Sequence, residues 1–389
     1  MSAVCLLERQ DIELFQFFRH IKSLIDFTQL KKAQKQLVFY SEGKNYWVHL
    51  EGLVREVLEK SDVSVCYISS SADDPGLALS HPNYLAFKID EAFIRNWLFE
   101  NMEADVLVMS MPDLHQYQVK RSKFVVHYVY VQHSLVSLHM VYREGAFDYF
   151  DTIFCAGPHH LKEARALEAL YNLPKKHLVN HGYARLDAIL MEAEKHKNKV
   201  MLDGEPIHVL LAPSWGPDSI IESGLGETIV AQLLSDGFKV TFRPHPQTTK
   251  FAKTQVDLIV KSHEASPLFD FEDNVASQNS LHRSNIMICD WSGAALDYAF
   301  GLNKPILFID VPRKINNSRY QDIGIEPLEV GIRTLIGNVL SVDEISSCSS
   351  LVAELCQEKR TYDKSNYVFN AGRSNEAGFK ALMDIVGNE

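Results

Sequence analysis

The chain has 389 residues, 46% of them hydrophobic and 23% charged, with a formal net charge of −11. That balance builds a core-forming globular chain of two or three domains and excludes a disordered one. The acidic excess also argues against broad nucleic-acid binding, which needs a basic face.

No basic stretch leads into an uninterrupted apolar core at the N-terminus, so no secretory signal is expected. Residues 8–36 carry apolar positions at helical spacing. Ile12, Phe15, Phe18 and Ile25 mark one face, Leu14, Phe17, Ile21 and Leu24 widen it, and Lys31, Lys32 and Lys35 close the segment. Such a helix either packs on its own domain or lies on an anionic membrane or a partner. Strands are then expected at 37–40, 63–68, 105–109, 124–132 and 151–156. A helix ends near Lys60, and another starts at Pro158 and runs through Leu170. His115 falls in the polar loop after the third of these strands, and His133 ends the fourth. A short extended piece at 178–182 leads into a helix, and the charge-rich stretch 191–205 reads as a linker.

A second series follows. A strand at 207–212 ends in Pro213-Ser214-Trp215-Gly216, and a helix covers about 220–234. A strand at 239–242 ends in Arg243-Pro244-His245-Pro246. Further strands are expected at 258–260, 286–289 and 306–309, with a terminal helix within 366–385. Alternating strands and helices indicate an α/β fold with two mostly parallel sheets. Ligands bind such sheets beyond the carboxyl ends of the strands. No apolar run approaches the roughly 18 residues of a spanning helix, so a cytoplasmic location is expected, including the inner face of the cell membrane. Cys5, Cys66, Cys155, Cys289, Cys348 and Cys356 form no CxxC pair, which suits buried free thiols and no zinc site.

The stretch Asn285–Asp310 concentrates the signal. An apolar strand breaks at Asp290-Trp291-Ser292-Gly293, and a helix from Ala294 follows, ended by Gly301. The free N–H groups at that helix start, with the positive end of its dipole, suit a phosphate. Ser292 is a natural N-cap, and Gly293 permits close approach of a ligand. An ordinary βα turn reads the same way. Asp297 lies two turns in, as a ligand contact or as an ion-pairing carboxylate. Arg243 offers a planar fork for phosphate, and two prolines fix the backbone around His245. His133 has the chemistry of a general base. GxSxG, HExxH, GxGxxG and GxxxxGK[ST] are all absent, which removes the common hydrolase, metalloprotease, dinucleotide and P-loop readings.

These corners come in a fixed order. His133 is followed by Gly157-Pro158-His159-His160, Gly182-Tyr183-Ala184-Arg185-Leu186-Asp187, Ala212-Pro213-Ser214-Trp215 and Arg243-Pro244-His245-Pro246, then by the 290–300 corner and the tail 370–378, NAGRSNEAG. In that order, over roughly 125–385, the chain resembles the CDP-glycerol glycerophosphotransferase family, which includes the teichoic acid primases and polymerases. The resemblance implies a GT-B fold of two Rossmann-like domains facing a cleft. It divides the chain into an acceptor-side domain with a leading helical segment (1–195), a donor domain (206–365) and a terminal helix (366–389) crossing back to the first. It implies transfer of an alditol phosphate, most often glycerol phosphate, from a CDP-alditol to a hydroxyl of a surface polymer or glycan, with CMP released. No cofactor or metal is implied.

By the resemblance His133 is the candidate base, and His245 acts with it. Arg243, Pro244, Asp290, Ser292, Gly293, Asp297, Ser214 and Trp215 serve the donor. Ser134 and His115 lie on the acceptor side. The chain departs from the family in one place. A His-Gly-Thr-Pro-x-Lys pattern is replaced by His133-Ser134-Leu135-Val136-Ser137-Leu138, without the lysine. A GT-B glycosyltransferase using a nucleotide-sugar, a sugar-nucleotide 2-epimerase and a nucleotide-binding module without catalysis remain as alternatives.

Overall fold

The structure is a computed structural model and describes residues 18–90, 92–117, 119–196 and 204–388. Within them lie two wholly parallel sheets. The first holds β1 (Leu37–Ser41), β2 (Val65–Ser69), β3 (Tyr84–Lys88), β4 (Val106–Met109), β5 (His127–Val131), β6 (Thr152–Cys155) and β7 (His177–Asn180), ordered β3-β2-β1-β4-β5-β6-β7. The second holds β8 (His208–Leu211), β9 (Lys239–Phe242), β10 (Phe269–Phe271), β11 (Ile286–Cys289), β12 (Ile306–Ile309) and β13 (Asn338–Leu340), ordered β10-β9-β8-β11-β12-β13. Every residue of β4, β6, β8, β11 and β12 is buried. Continuous apolar runs of this kind belong to sheets covered on both faces by helices.

Each sheet reverses strand order once, between β1 and β4 and between β8 and β11. Crevices that take ligands open at such points, beyond the carboxyl ends of the strands. Glu42 and Ser110 follow β1 and β4, while the Ser214 loop and Asp290 follow β8 and β11. The last helix, Ser374–Asn388, returns to the first sheet. Its Leu382 and Ile385 share a core with Leu50, Leu53 and Val54 of helix Lys44–Lys60.

Several expectations are corrected. The stretch 258–260 is not a strand but part of helix Lys253–His263. Val256 and Ile259 are buried on one helical face, and Leu258 is 55% exposed. The strand in this part of the sheet is β10, which pairs with β9. β3, β13 and helix Ala92–Glu100 were not anticipated. The helix expected from 220 starts at Leu225, after a left-handed Gly224. Gly301 does not end its helix, which runs Ala294–Leu302 and closes on Asn303 in the left-handed region. A Cβ at Gly301 would sit 2.5 Å from Ile189, so this glycine lets helix Ala184–His196 approach. The tail is helical only from Ser374. The leading segment is helical over 18–28 and ends in a 3-10 turn at Lys32–Gln34; its earlier apolar positions and Cys5 lie outside the described residues, as does the middle of the expected linker. Cys66, Cys155, Cys289 and Cys348 are free and buried, and Cys356 is free and half-buried.

Leu382 is fully buried. Leu382→Ala should therefore cost about 3 kcal/mol, read as a lower denaturant midpoint at unchanged m-value.

Candidate active site

His133 leaves β5 into a cage of rings. Its Nδ1 lies 2.9 Å from Tyr130 Oη and its Nε2 3.4 Å from Tyr142 Oη, while Tyr183 Oη donates to its carbonyl at 3.0 Å. The edges of Tyr46 and His49 close the cage at about 6 Å between ring centroids. Burial pulls the His133 pKa down to about 4, so the imidazole is neutral at physiological pH. Beside this cage Tyr46 bonds Glu42, whose carboxyl is raised by burial against the pull of Arg95. Asp113, also raised by burial, faces Arg143 at 3.7 Å. His115 takes a hydrogen bond from Arg121 N and packs on Tyr149, contacts within the first domain's own loops.

The loop that replaces the family's lysine pattern is held from both domains. His159 and His160 of the Gly157-Pro158 turn reach the Leu135 and Val136 carbonyls at 2.8 and 2.9 Å. His160 Nδ1 accepts from Ala156 N, so its Nε2–H is the donor to Val136. Leu138 N donates to Glu163, and Ser137 donates through both N and Oγ to Glu329 of the second domain. Asn316 and Asn317 continue the seam to the Met140, Val141 and His139 carbonyls.

Helix Ala184–His196 ties this region to the rest. Beside Tyr183, which holds His133, Arg185 Nε donates to Asp297 at 2.9 Å, with both side chains buried. Asp187 receives Gly372 N, Ser374 N and Ser374 Oγ, which fixes the start of the terminal helix. Asp297 is thus an ion-pairing carboxylate. Burial raises its pKa to about 6 against the pull of Arg185 and Arg243, and its Oδ1 has no hydrogen-bond partner.

On the other wall, Asp290 is wholly buried and accepts Ser214 N at 2.7 Å and Ile220 N at 3.1 Å. One carboxylate at the end of β11 thereby shapes the loop after β8 that carries Ser214 and Trp215. His245 caps helix Pro246–Phe251: its Nδ1 accepts Gln247 N at 3.1 Å. The ring proton therefore sits on Nε2 (assigned from this bond). Burial, Lys314 and His133 together pull the His245 pKa to about 3. Its ring centroid lies 6.0 Å from that of Trp215, and the Lys314 ammonium stands 4.2 Å over the Trp215 ring. Arg243 lies deeper, 4% exposed, bonded to Ser280 Oγ and the Val275 carbonyl. Arg185 shares that carbonyl, and the Arg243 charge is also felt by the Glu272 and Asp297 carboxylates. Pro244 is buried.

The 290–293 corner meets the other domain. A Cβ on Gly293 would sit 2.7 Å from Ser134 Oγ, so this glycine admits Ser134 to the helix start. Ser292 does not cap that helix with its side chain. Its carbonyl receives Ala295 N instead, and the cap position is Gly293. Among the described residues no group of three His, Cys, Asp or Glu side chains is placed to hold a metal ion.

The family model for CDP-glycerol:poly(glycerophosphate) glycerophosphotransferase matches residues 27–314. The chain belongs to this family. Its members are transferases that use CDP-glycerol, and this chain is one of them. A structure of the wall teichoic acid polymerase TagF is similar over 98% of this chain and 97% of that one, at TM-score 0.59 and 15% identity. UDP-GlcNAc 2-epimerases are also similar. The Neisseria meningitidis enzyme bound to UDP-GlcNAc gives TM-score 0.57 at 11% identity, and the Methanocaldococcus jannaschii enzyme with UDP-GlcNAc and UDP gives 0.55 at 12%. Each covers 90% of this chain and 99% of its own. At these identities the likeness shows the fold, which is GT-B. No curated protein sequence matches the chain.

For this glycerophosphotransferase the sequence alone did not single out Tyr130, Tyr142, Glu329 or Lys314. Tyr130 had a faint signal, lying on β5 three residues before His133. Glu329 and Lys314 had none, because their partners are remote in sequence. The Arg185–Asp297 pair gives a direct test. Asp297→Ala should cost about 3–5 kcal/mol, since it strands Arg185 in the interior. Arg185→Met with Asp297→Leu should cost clearly less than that single change in urea denaturation.

Proposed function

We propose that the protein moves an alditol phosphate, glycerol phosphate foremost, from a CDP-alditol to a hydroxyl of a surface glycan or poly(alditol phosphate), releasing CMP. The observation that carries this reading is the pair of neutral histidines on opposite walls. His133 retains proton-accepting capacity, while His245 has its Nδ1 occupied and offers only a donor.

In the tautomer that donates its Nδ1 proton to Tyr130, His133 turns Nε2, which Tyr142 Oη approaches at 3.4 Å, to the acceptor hydroxyl, beside Ser134. Nε2 takes the proton, and the acceptor oxygen attacks the donor phosphorus nearest the alditol. The bond from that phosphorus to the bridging oxygen breaks, and CMP departs with the bonding pair. His245 Nε2–H donates to the diphosphate. Ser292, whose hydroxyl caps nothing, and the N–H of Gly293 receive another phosphate oxygen. Trp215, on the loop that Asp290 and Ser214 shape, forms an apolar wall. Arg243 adds fixed positive charge from below. Phosphoryl transfer is served by such positioning and charge stabilisation.

We place the reaction at the inner face of the membrane. What supports this is an apolar patch on the first domain. Phe93 and Trp97 are exposed one turn apart, and exposed Phe124 and Val125 follow Lys123, whose N–H bonds the Glu100 carbonyl at the end of the same helix. Aromatic residues beside lysine suit a lipid interface. No helix among the described residues is long and apolar enough to cross a membrane.

The test offers CDP-glycerol, CDP-ribitol and UDP-GlcNAc with a glycan acceptor. CMP should appear from a CDP-alditol; release of UDP, or an epimerised sugar without acceptor, would overturn the reading. His133→Ala should lower kcat by about a thousandfold or more, with CDP-glycerol affinity kept within a few-fold. Because the base is neutral down to about pH 4, kcat/KM should stay level as pH falls through ~6.5, the ordinary histidine value. It should drop only as His133 becomes protonated.

A further inference from the structure

Lys314 is a cation in search of an anion. It follows β12 in the loop that leads to the Asn316–Asn317 seam. Its ammonium lies on the Trp215 face, 4.2 Å from the ring centroid. Two carboxylates stand near enough to act on its charge, Asp290 and Glu222. Neither forms an ion pair with it among the described residues, because both are spent elsewhere. Asp290 holds the Ser214 and Ile220 N–H groups. Glu222 accepts the Thr248 hydroxyl at 2.8 Å through one oxygen and the Ser219 hydroxyl through the other. Lys314 is half-buried, and a cation drawn out of water normally has a dedicated counter-charge. His245 also lies against Trp215, at 6.0 Å between ring centroids, with its Nε2–H also unclaimed. An ammonium and an imidazole N–H thus both border one indole, two donors of the kind that hold diphosphate oxygens.

We propose that Lys314 is a donor-binding residue that takes the phosphate oxygens of the departing nucleotide, beside Trp215 and His245. The inference rests on the CDP-alditol reading for the identity of the nucleotide, but not for the anion itself. Partial burial lowers the Lys314 pKa to about 8. An arriving diphosphate stabilises the charged form, as an anion does for any buried amine.

The experiment measures binding to the full chain of CDP, UDP, cytidine and inorganic pyrophosphate, by calorimetry and by tryptophan quenching. Trp215→Phe identifies the Trp215 signal among the chain's four tryptophans. Lys314→Met should weaken CDP about ten- to a hundredfold, the worth of a charge-assisted hydrogen bond, and leave cytidine unchanged. Lys314→Arg should recover most of the CDP affinity. Lys314→Gln, which keeps the polar stem, stands in should the methionine variant fail to fold by thermal melting. Loss of UDP or pyrophosphate binding in the variant, with no wild-type preference for CDP, would uphold Lys314 and sink the CDP-alditol reading. CDP binding equal in wild type and Lys314→Met, or no binding of any of these anions to wild type, would overturn the role of Lys314.

Discussion

The buried ion pair between Arg185 and Asp297 is the interaction on which the arrangement rests. It joins the first helix of the last βα unit in one sheet to the phosphate-corner helix of the other. Charges taken from water must find each other in a fixed geometry, or the cost is several kcal/mol. The pair therefore sets the register of the two domains, not merely their adhesion. The same six-residue motif also holds His133 through Tyr183 and the terminal helix through Asp187. His133, the Asp297 helix and the tail are all positioned from one short stretch.

The loop after His133 shows how a departure from a family pattern can be structurally complete. Serine and leucine stand where a lysine is common, and their backbone and hydroxyl groups are consumed by Glu163, Glu329, His159 and His160. No room is left there for a mobile cation. Arg95 and Arg143 beside the His133 cage face the carboxyls of Glu42 and Asp113, whereas Lys314 in the second domain forms no ion pair among the described residues.

Much of this was legible in the sequence because strand-end corners carry a local signature: an apolar run, then a polar residue bracketed by proline, glycine or serine. His133, His245 and Asp290 all fall at such corners, and the parallel fold follows from their alternation with helices. What failed was of two kinds. Leu258-Ile259-Val260 has the composition of a strand, and only its burial pattern, with Leu258 outside and Ile259 inside, declares the helix. Asp297 looked equally like a ligand contact or an ion-pairing group. The choice depends on Arg185, more than a hundred positions away, and no local pattern encodes that. The same holds for Ser292, whose capping chemistry is real but is not used.

The crossing of hydrogen bonds between the 134–142 loop and residues 316–329 has a consequence for motion. With Ser137, His139, Met140 and Val141 all bonded to the second domain, the halves cannot part along this line without stranding several buried partners at once. The line is thus a pivot rather than a mouth. Any opening of the two halves would therefore widen at the opposite rim while this seam stays paired.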